Sequence, residues 1–115
     1  MSLTKMEFLK NVPATPQGLA DLIDYKEGRV ISMMMTRSEA LQMMLMSVSL
    51  GEEVTSEQYP GDMLYYVVDG TMPLVKEGIP YTLNAGDCMA VEAGAPHSIG
   101  GAGAFKVLQI TVTVK

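Results

Sequence analysis

The chain has 115 residues, 48% of them apolar, which is enough for one domain with its own core and too apolar for a disordered tail. A net charge of −5 repels phosphate backbones and anionic membrane surfaces, and the lysines and arginines are scattered rather than gathered in a stripe. Nucleic acid and membrane are therefore excluded as expected partners, and the single cysteine, Cys88, excludes an internal disulfide.

No basic start leads into an apolar run, and the most apolar stretch, from Val30 to Leu50, is broken by Arg37, Ser38 and Glu39. A cytoplasmic location is the expectation. Residues 1–28 form the least regular part and read as an N-terminal extension of the same domain. Within it, Thr15 before Pro16 has the form of a helix start, a capping hydroxyl with proline at the first helical position. Gly18 follows closely, so any helix there is short.

From residue 29 to the end the pattern changes to short strands. They are expected at Val30 to Thr36, Leu41 to Leu50, Met63 to Val68, Thr71 to Lys76, Pro80 to Leu83, Cys88 to Val91, His97 to Ile99 and Phe105 to Val114. Asp69-Gly70, Glu77-Gly78 and Gly86-Asp87 punctuate them. This spacing predicts an all-β fold, a small antiparallel barrel or sandwich.

Two strands are apolar on both faces. Leu41, Met43 and Leu45 oppose Met44, Met46 and Val48; Met63, Tyr65 and Val67 oppose Leu64, Tyr66 and Val68. Each needs a second cover, either another sheet or another subunit, and a homodimer is expected. Pro73 argues for an edge or a bulge. In the last strand Leu108, Ile110, Val112 and Val114 share one face, and Gln109, Thr111 and Thr113 the other, which meets either solvent or a polar cavity. The eleven methionines, with no His or Cys among their densest clusters, read as core and interface filler rather than as a soft-metal site.

Two segments stand apart, GEEVTSEQYPGDMLYYVVDG from Gly51 to Gly70 and GDCMAVEAGAPHSI from Gly86 to Ile99. Together, in this order and spacing, they resemble the two motifs of the cupin superfamily, and the chain is similar to its small single-domain, conserved-barrel bacterial members. Gly51 and Gly70 fit the ends of the first motif, and Gly86, Gly94 and His97 fit the second. The resemblance implies a small antiparallel jelly-roll barrel with a short irregular or helical N-terminal segment. It is a signature of fold, because cupins include isomerases, dioxygenases, epimerases, storage proteins and ligand sensors.

The departures matter as much. Where the family carries two histidines this chain has Glu57 and Tyr59, and Met63 stands at the family's glutamate. Only His97 remains of the usual ligand set, and a thioether is no substitute for a carboxylate on a hard or borderline ion. Glu57 and His97 are the residues that a divalent metal, if bound, would use, but no conventional cofactor is expected. The expected ligand site comprises Glu57, Tyr59, Met63, Tyr65 and His97, and would take a small polar or amphipathic molecule inside the barrel. The alternative is an isomerase, epimerase or dioxygenase with a weak metal site or with Glu57 and His97 as an acid–base pair. Either residue could instead be structural. Cys88 reads as a small buried hydrophobe, and Asp62 and Asp87 as turn residues.

Overall fold

The longest strand runs unbroken from Asp62 to Lys76, where the sequence predicts two strands parted by a turn at Asp69-Gly70. The dipeptide is instead the site of a register shift between Val67 and Asp69 in the pairing with the last strand. An irregularity of this kind bends a strand and increases its twist without ending it.

The computed structural model describes residues 9–56 and 59–113. In chain order its strands are β1 (Val30–Arg37), β2 (Leu41–Val48), β3 (Glu53–Ser56), β4 (Asp62–Lys76), β5 (Ile79–Asn84), β6 (Cys88–Val91), β7 (His97–Gly100) and β8 (Phe105–Val112). All of their pairings are antiparallel. The first part of β4 lies between β8 and β6 in one sheet, which continues through β2 to β1. Its second part joins β5 and β7 in another, which continues to β3. Strand β3 has no predicted counterpart, since Glu53-Val54-Thr55-Ser56 lacks an apolar alternation. Pro73 lies on β4 between Gly70, where β8 pairing ends, and Leu74, where β7 pairing begins. A residue without an N–H is tolerated in that gap.

The two sheets close on one apolar core. Met46 and Val48 from β2, Met63, Tyr65, Val67, Met72 and Leu74 from β4, Ile99 from β7, and Phe105 and Val107 from β8 all belong to it. A second, smaller cluster lies on the outside of the first sheet. There Ile23 packs with Met35 and Leu45, and with the half-buried Leu19, Leu22, Met33, Met43 and Leu108. The N-terminal segment thus supplies part of the second cover that the doubly apolar β2 requires.

That segment is held by polar contacts as well. Lys106 donates to the Ala20 carbonyl at 2.6 Å, Ser47 to the Asp24 carbonyl at 2.8 Å, and Ser49 to the Lys26 carbonyl. The Tyr25 hydroxyl donates to Asp69 at 2.5 Å while its ring lies under the Lys106 ammonium. Burial, reinforced by the Asp69 carboxylate, pushes the Tyr25 phenol well above its usual range. The expected helix start at Thr15-Pro16 is corrected by the structure. A single 3-10 turn, Leu19–Leu22, follows Gly18 without a side-chain cap, because its closing bond runs from Asp21 N–H back to the Gly18 carbonyl.

Gly70, at φ +73°, packs so closely on the start of β8 that a Cβ there would collide with the Ala104 carbonyl. Gly28, at φ +72°, faces open space. Alanine at Gly28 should therefore cost about 1 kcal/mol, the price of left-handed backbone alone, and alanine at Gly70 roughly 3 kcal/mol. Urea unfolding of the two variants checks this, and equal losses would contradict the close approach.

Candidate functional site

His97 opens β7 directly after the turn at Gly94-Ala95-Pro96. That turn is tied down by Ala95 N–H to the Glu92 carbonyl at 3.1 Å and Gly94 N–H to the Tyr59 carbonyl at 3.0 Å. On β7, Ile99 shares a face with Leu74 of β4, deep in the core, and His97 two residues earlier lies on that same inward face. It is 5% exposed.

Both ring nitrogens are engaged. Nδ1 lies 2.9 Å from the Ala95 carbonyl, which can only accept, so Nδ1 carries the proton. In the neutral ring Nε2 is then an acceptor, and the Tyr65 hydroxyl 2.7 Å away donates to it. Tyr65 comes from the first sheet and His97 from the second, so this bond spans the barrel interior. The Tyr65 hydroxyl also lies 3.8 Å from the Met63 sulfur. The Tyr65 and His97 rings meet edge to face at 5.5 Å, and the half-buried Tyr59 ring lies 6.1 Å from the imidazole.

Four of the five expected ligand-site residues, Tyr59, Met63, Tyr65 and His97, are therefore brought together. Glu57 lies outside the described residues. Lys76, the cross-strand neighbour of His97, has its ammonium paired with Glu92. The Glu92 hydrogen bond raises the Lys76 pKa, and the same contact lowers that of Glu92.

Strand β8 resolves the alternative left open for its polar face. Gln109 pairs with Tyr65 and Met44, and Thr111 with Met63, so both point inward along the line of Phe105 and Val107. The apolar Leu108, Ile110 and Val112 face outward, and Val112 is 48% exposed. Polar residues inside and apolar residues outside invert the usual reading of such a strand. The available signal was the register with β4, since a face that pairs with Met63 and Tyr65 must share their side of the sheet.

Two further expectations can be compared with the structure. Asp87 acts in its turn, accepting from Asn84 N–H, whereas Asp62 is corrected to the first residue of β4, its carboxylate accepting from Ala93 N–H, each at 2.8 Å. Cys88 is not buried. It pairs with Tyr66 on the outward face of β6 and is exposed, because its inward neighbour is Met89.

As metal donors these residues fit poorly. Tyr59 offers a phenol and Met63 a thioether, and the His97 Nε2 lone pair already accepts from Tyr65. Among the described residues no three His, Cys, Asp or Glu side chains converge. The donors among the described residues do not by themselves fit a hard or borderline divalent ion. They offer instead an apolar wall of rings and thioethers around a hydroxyl–imidazole pair.

Residues 44–112 match the family model described as "Cupin domain". A crystal structure of a cupin superfamily protein from Desulfitobacterium hafniense is 38% identical, with a TM-score of 0.88 over 92% of this chain and 98% of that one. A cupin 2 conserved barrel domain protein from Leptotrichia buccalis is 27% identical, with a TM-score of 0.83 over 97% of this chain and 51% of that one. A conserved protein of unknown function from Streptococcus pyogenes, at 20% identity, shares the fold with a TM-score of 0.91, over 97% of this chain and 99% of that one. No curated protein matches the chain.

Because the chain has one histidine, its ring nitrogens can be assigned without ambiguity by 15N NMR. The geometry predicts that the neutral ring is the tautomer protonated on Nδ1. Tyr65→Phe should shift the Nε2 resonance and destabilise the fold by about 1–3 kcal/mol, the cost of a buried acceptor left unsatisfied. A neutral ring with its proton on Nε2 would contradict the assigned geometry.

Proposed function

The chain belongs to the cupin family, and on that premise we propose that it binds a small amphipathic molecule inside its barrel without the family's usual metal chemistry. The observation that carries this reading is the Tyr65–His97 hydrogen bond. It occupies the one ring nitrogen a metal would need, and it does so among Met63, Tyr59 and the core residues of β4. An apolar enclosure with a few fixed polar groups is the form that small-molecule sites take.

The binding reading predicts saturable thermal shifts with some members of a panel of small sugars, acids and aromatics. A ligand at about ten times its Kd contributes about 1.4 kcal/mol, or roughly 4–8 °C for a domain of this size. The shifts should vanish in His97→Ala and diminish in Tyr65→Phe. Stoichiometric divalent metal in the purified protein, lost in His97→Ala, would overturn the metal-free reading and restore an enzyme of metal-dependent type.

We propose also that a second copy covers the outer face of the first sheet. Met43, Ile110, Leu64 and Ala90 follow one another across β2, β8, β4 and β6. The N-terminal segment packs at the β1–β2 side of this face, while Leu64, Tyr66 and Val112 remain exposed. An uncharged apolar row is self-complementary, as a two-fold interface must be. Light scattering should give twice the chain mass, falling to the monomer in a Leu64→Glu, Val112→Glu double variant that keeps its far-UV spectrum. A wild-type monomer at micromolar concentration would refute the pairing.

A further inference from the structure

The Tyr65–His97 pair is shut away from solvent. Tyr65 is 0%, Met63 2% and His97 5% exposed, so in this conformation the pair is closed to a ligand. A ligand reaches it only if a side chain moves, and one is placed to do so. The half-buried Tyr59 ring packs against the core and lies 6.1 Å from the imidazole, tilted by 46°. The same residue, with Pro60, Ala93 and Gly94, lines a cavity of about 500 Å³ that opens to solvent. Of these four, Tyr59 is the one whose ring also reaches His97. The main chain around it is held. The Tyr59 carbonyl accepts from Gly94 N–H at 3.0 Å and the Asp62 carboxylate from Ala93 N–H at 2.8 Å, while Pro60 restricts the backbone of the residue before it. What is left to move is the ring, by rotation between staggered side-chain positions.

We infer that the Tyr59 ring is the gate of the barrel site, turning into the adjoining cavity to uncover His97, and that the ligand is a planar ring without negative charge that takes the place it leaves. The cavity is larger than a phenol ring, so the rotation has room. The vacated slot has the shape of the ring that leaves it. Its wall is the imidazole, which Tyr65 meets edge to face at 5.5 Å. An aromatic ring entering there recovers the ring contact that Tyr59 gives up, and a puckered aliphatic ring of the same size does not. Charge narrows the class further. Glu92 and Asp62 both adjoin Ala93 at the mouth, one by sequence and the other through its hydrogen bond. Lys76 offsets Glu92, and the Asp62 charge keeps the rim acidic. A carboxylate would be repelled on entering and stripped of its water inside. Opening gives up the contact between Tyr59 and the core, so the open form is the minor one, and a ligand that fills the slot draws the population toward it.

This inference rests on the barrel-binding reading, and the lone histidine lets the two be tested apart. Diethyl pyrocarbonate acylates a neutral imidazole that it can reach, and mass spectrometry of the His97 peptide gives the rate. With the open form at about 0.1–10% of the population, His97 should react roughly 10- to 1,000-fold more slowly than an exposed imidazole. Tyr59→Ala should raise the rate at least about tenfold. Ala93→Trp, which fills the cavity from an exposed turn position, should lower it by about the same factor. A rate unchanged in either variant would overturn the gate. So would an acceleration in Gly28→Ala in step with its loss of stability, since the reaction would then run through global unfolding. In Tyr59→Ala the slot stands open, and p-cresol, the free counterpart of the lost side chain, should shift the His97 ring resonances on binding. Its affinity should exceed those of cyclohexanol and benzoate at least about tenfold. Equal affinities would overturn the planar, uncharged ligand. Loss of the gate while thermal-shift ligands still bind wild type and fail in His97→Ala would leave the barrel reading standing. Absence of any such ligand, with p-cresol silent in Tyr59→Ala, would overturn both readings together.

Discussion

The arrangement of this protein depends on one strand serving two sheets. β4 is long enough to pair with β8 and β6 at its start and with β5 and β7 at its end, and it changes sheet where its register slips. Gly70, against the Ala104 carbonyl, is what lets β8 come close at that point. Without the bend, Tyr65 and His97 would belong to separate surfaces. With it, a phenol from one sheet and an imidazole from the other meet inside a common core. The site is a product of curvature, and the side chains occupy positions that the backbone has already brought face to face.

The character of the site follows from what surrounds that pair. Beside it, among the described residues, stand the phenol of Tyr59 and the thioether of Met63. Hydrogen bonds fix both nitrogens of His97. Its proton is held on Nδ1 by the Ala95 carbonyl, which leaves Nε2 for Tyr65. A polar pair so fixed within an apolar enclosure is costly to disturb, because either group left alone would be desolvated and unpaired.

Much of this was legible in the sequence, and the failures have physical causes. The glycines at 51, 70, 86 and 94 all have positive φ, and their spacing carried the fold. Tyr59, Met63, Tyr65 and His97 followed from the motif. What periodicity does not reveal is which face of an alternating strand is inside. On β8 the apolar Leu108, Ile110 and Val112 face outward, because Gln109 and Thr111 share the inward parity of Phe105 and Val107. The same blindness made Cys88 a core residue on paper, although its parity with Tyr66 places it outside. Asp69-Gly70 read as a turn because a bulge and a hairpin call for the same residue types. The segment Glu53-Val54-Thr55-Ser56 carried no apolar signal, since a short edge strand is defined by its partner β7 more than by its own residues.

The N-terminal segment carries a consequence for how this protein can change over time. Ser47, Ser49 and Lys106 all reach it through main-chain carbonyls, those of Asp24, Lys26 and Ala20. A carbonyl is the same whichever side chain accompanies it. At those three positions the barrel reads the path of the segment and not its spelling. Substitutions at residues 20, 24 and 26 are therefore tolerated wherever the backbone shape is kept. Insertion or loss of a single residue between them would put the serines out of step with their acceptors. Length, rather than composition, is the inherited quantity there.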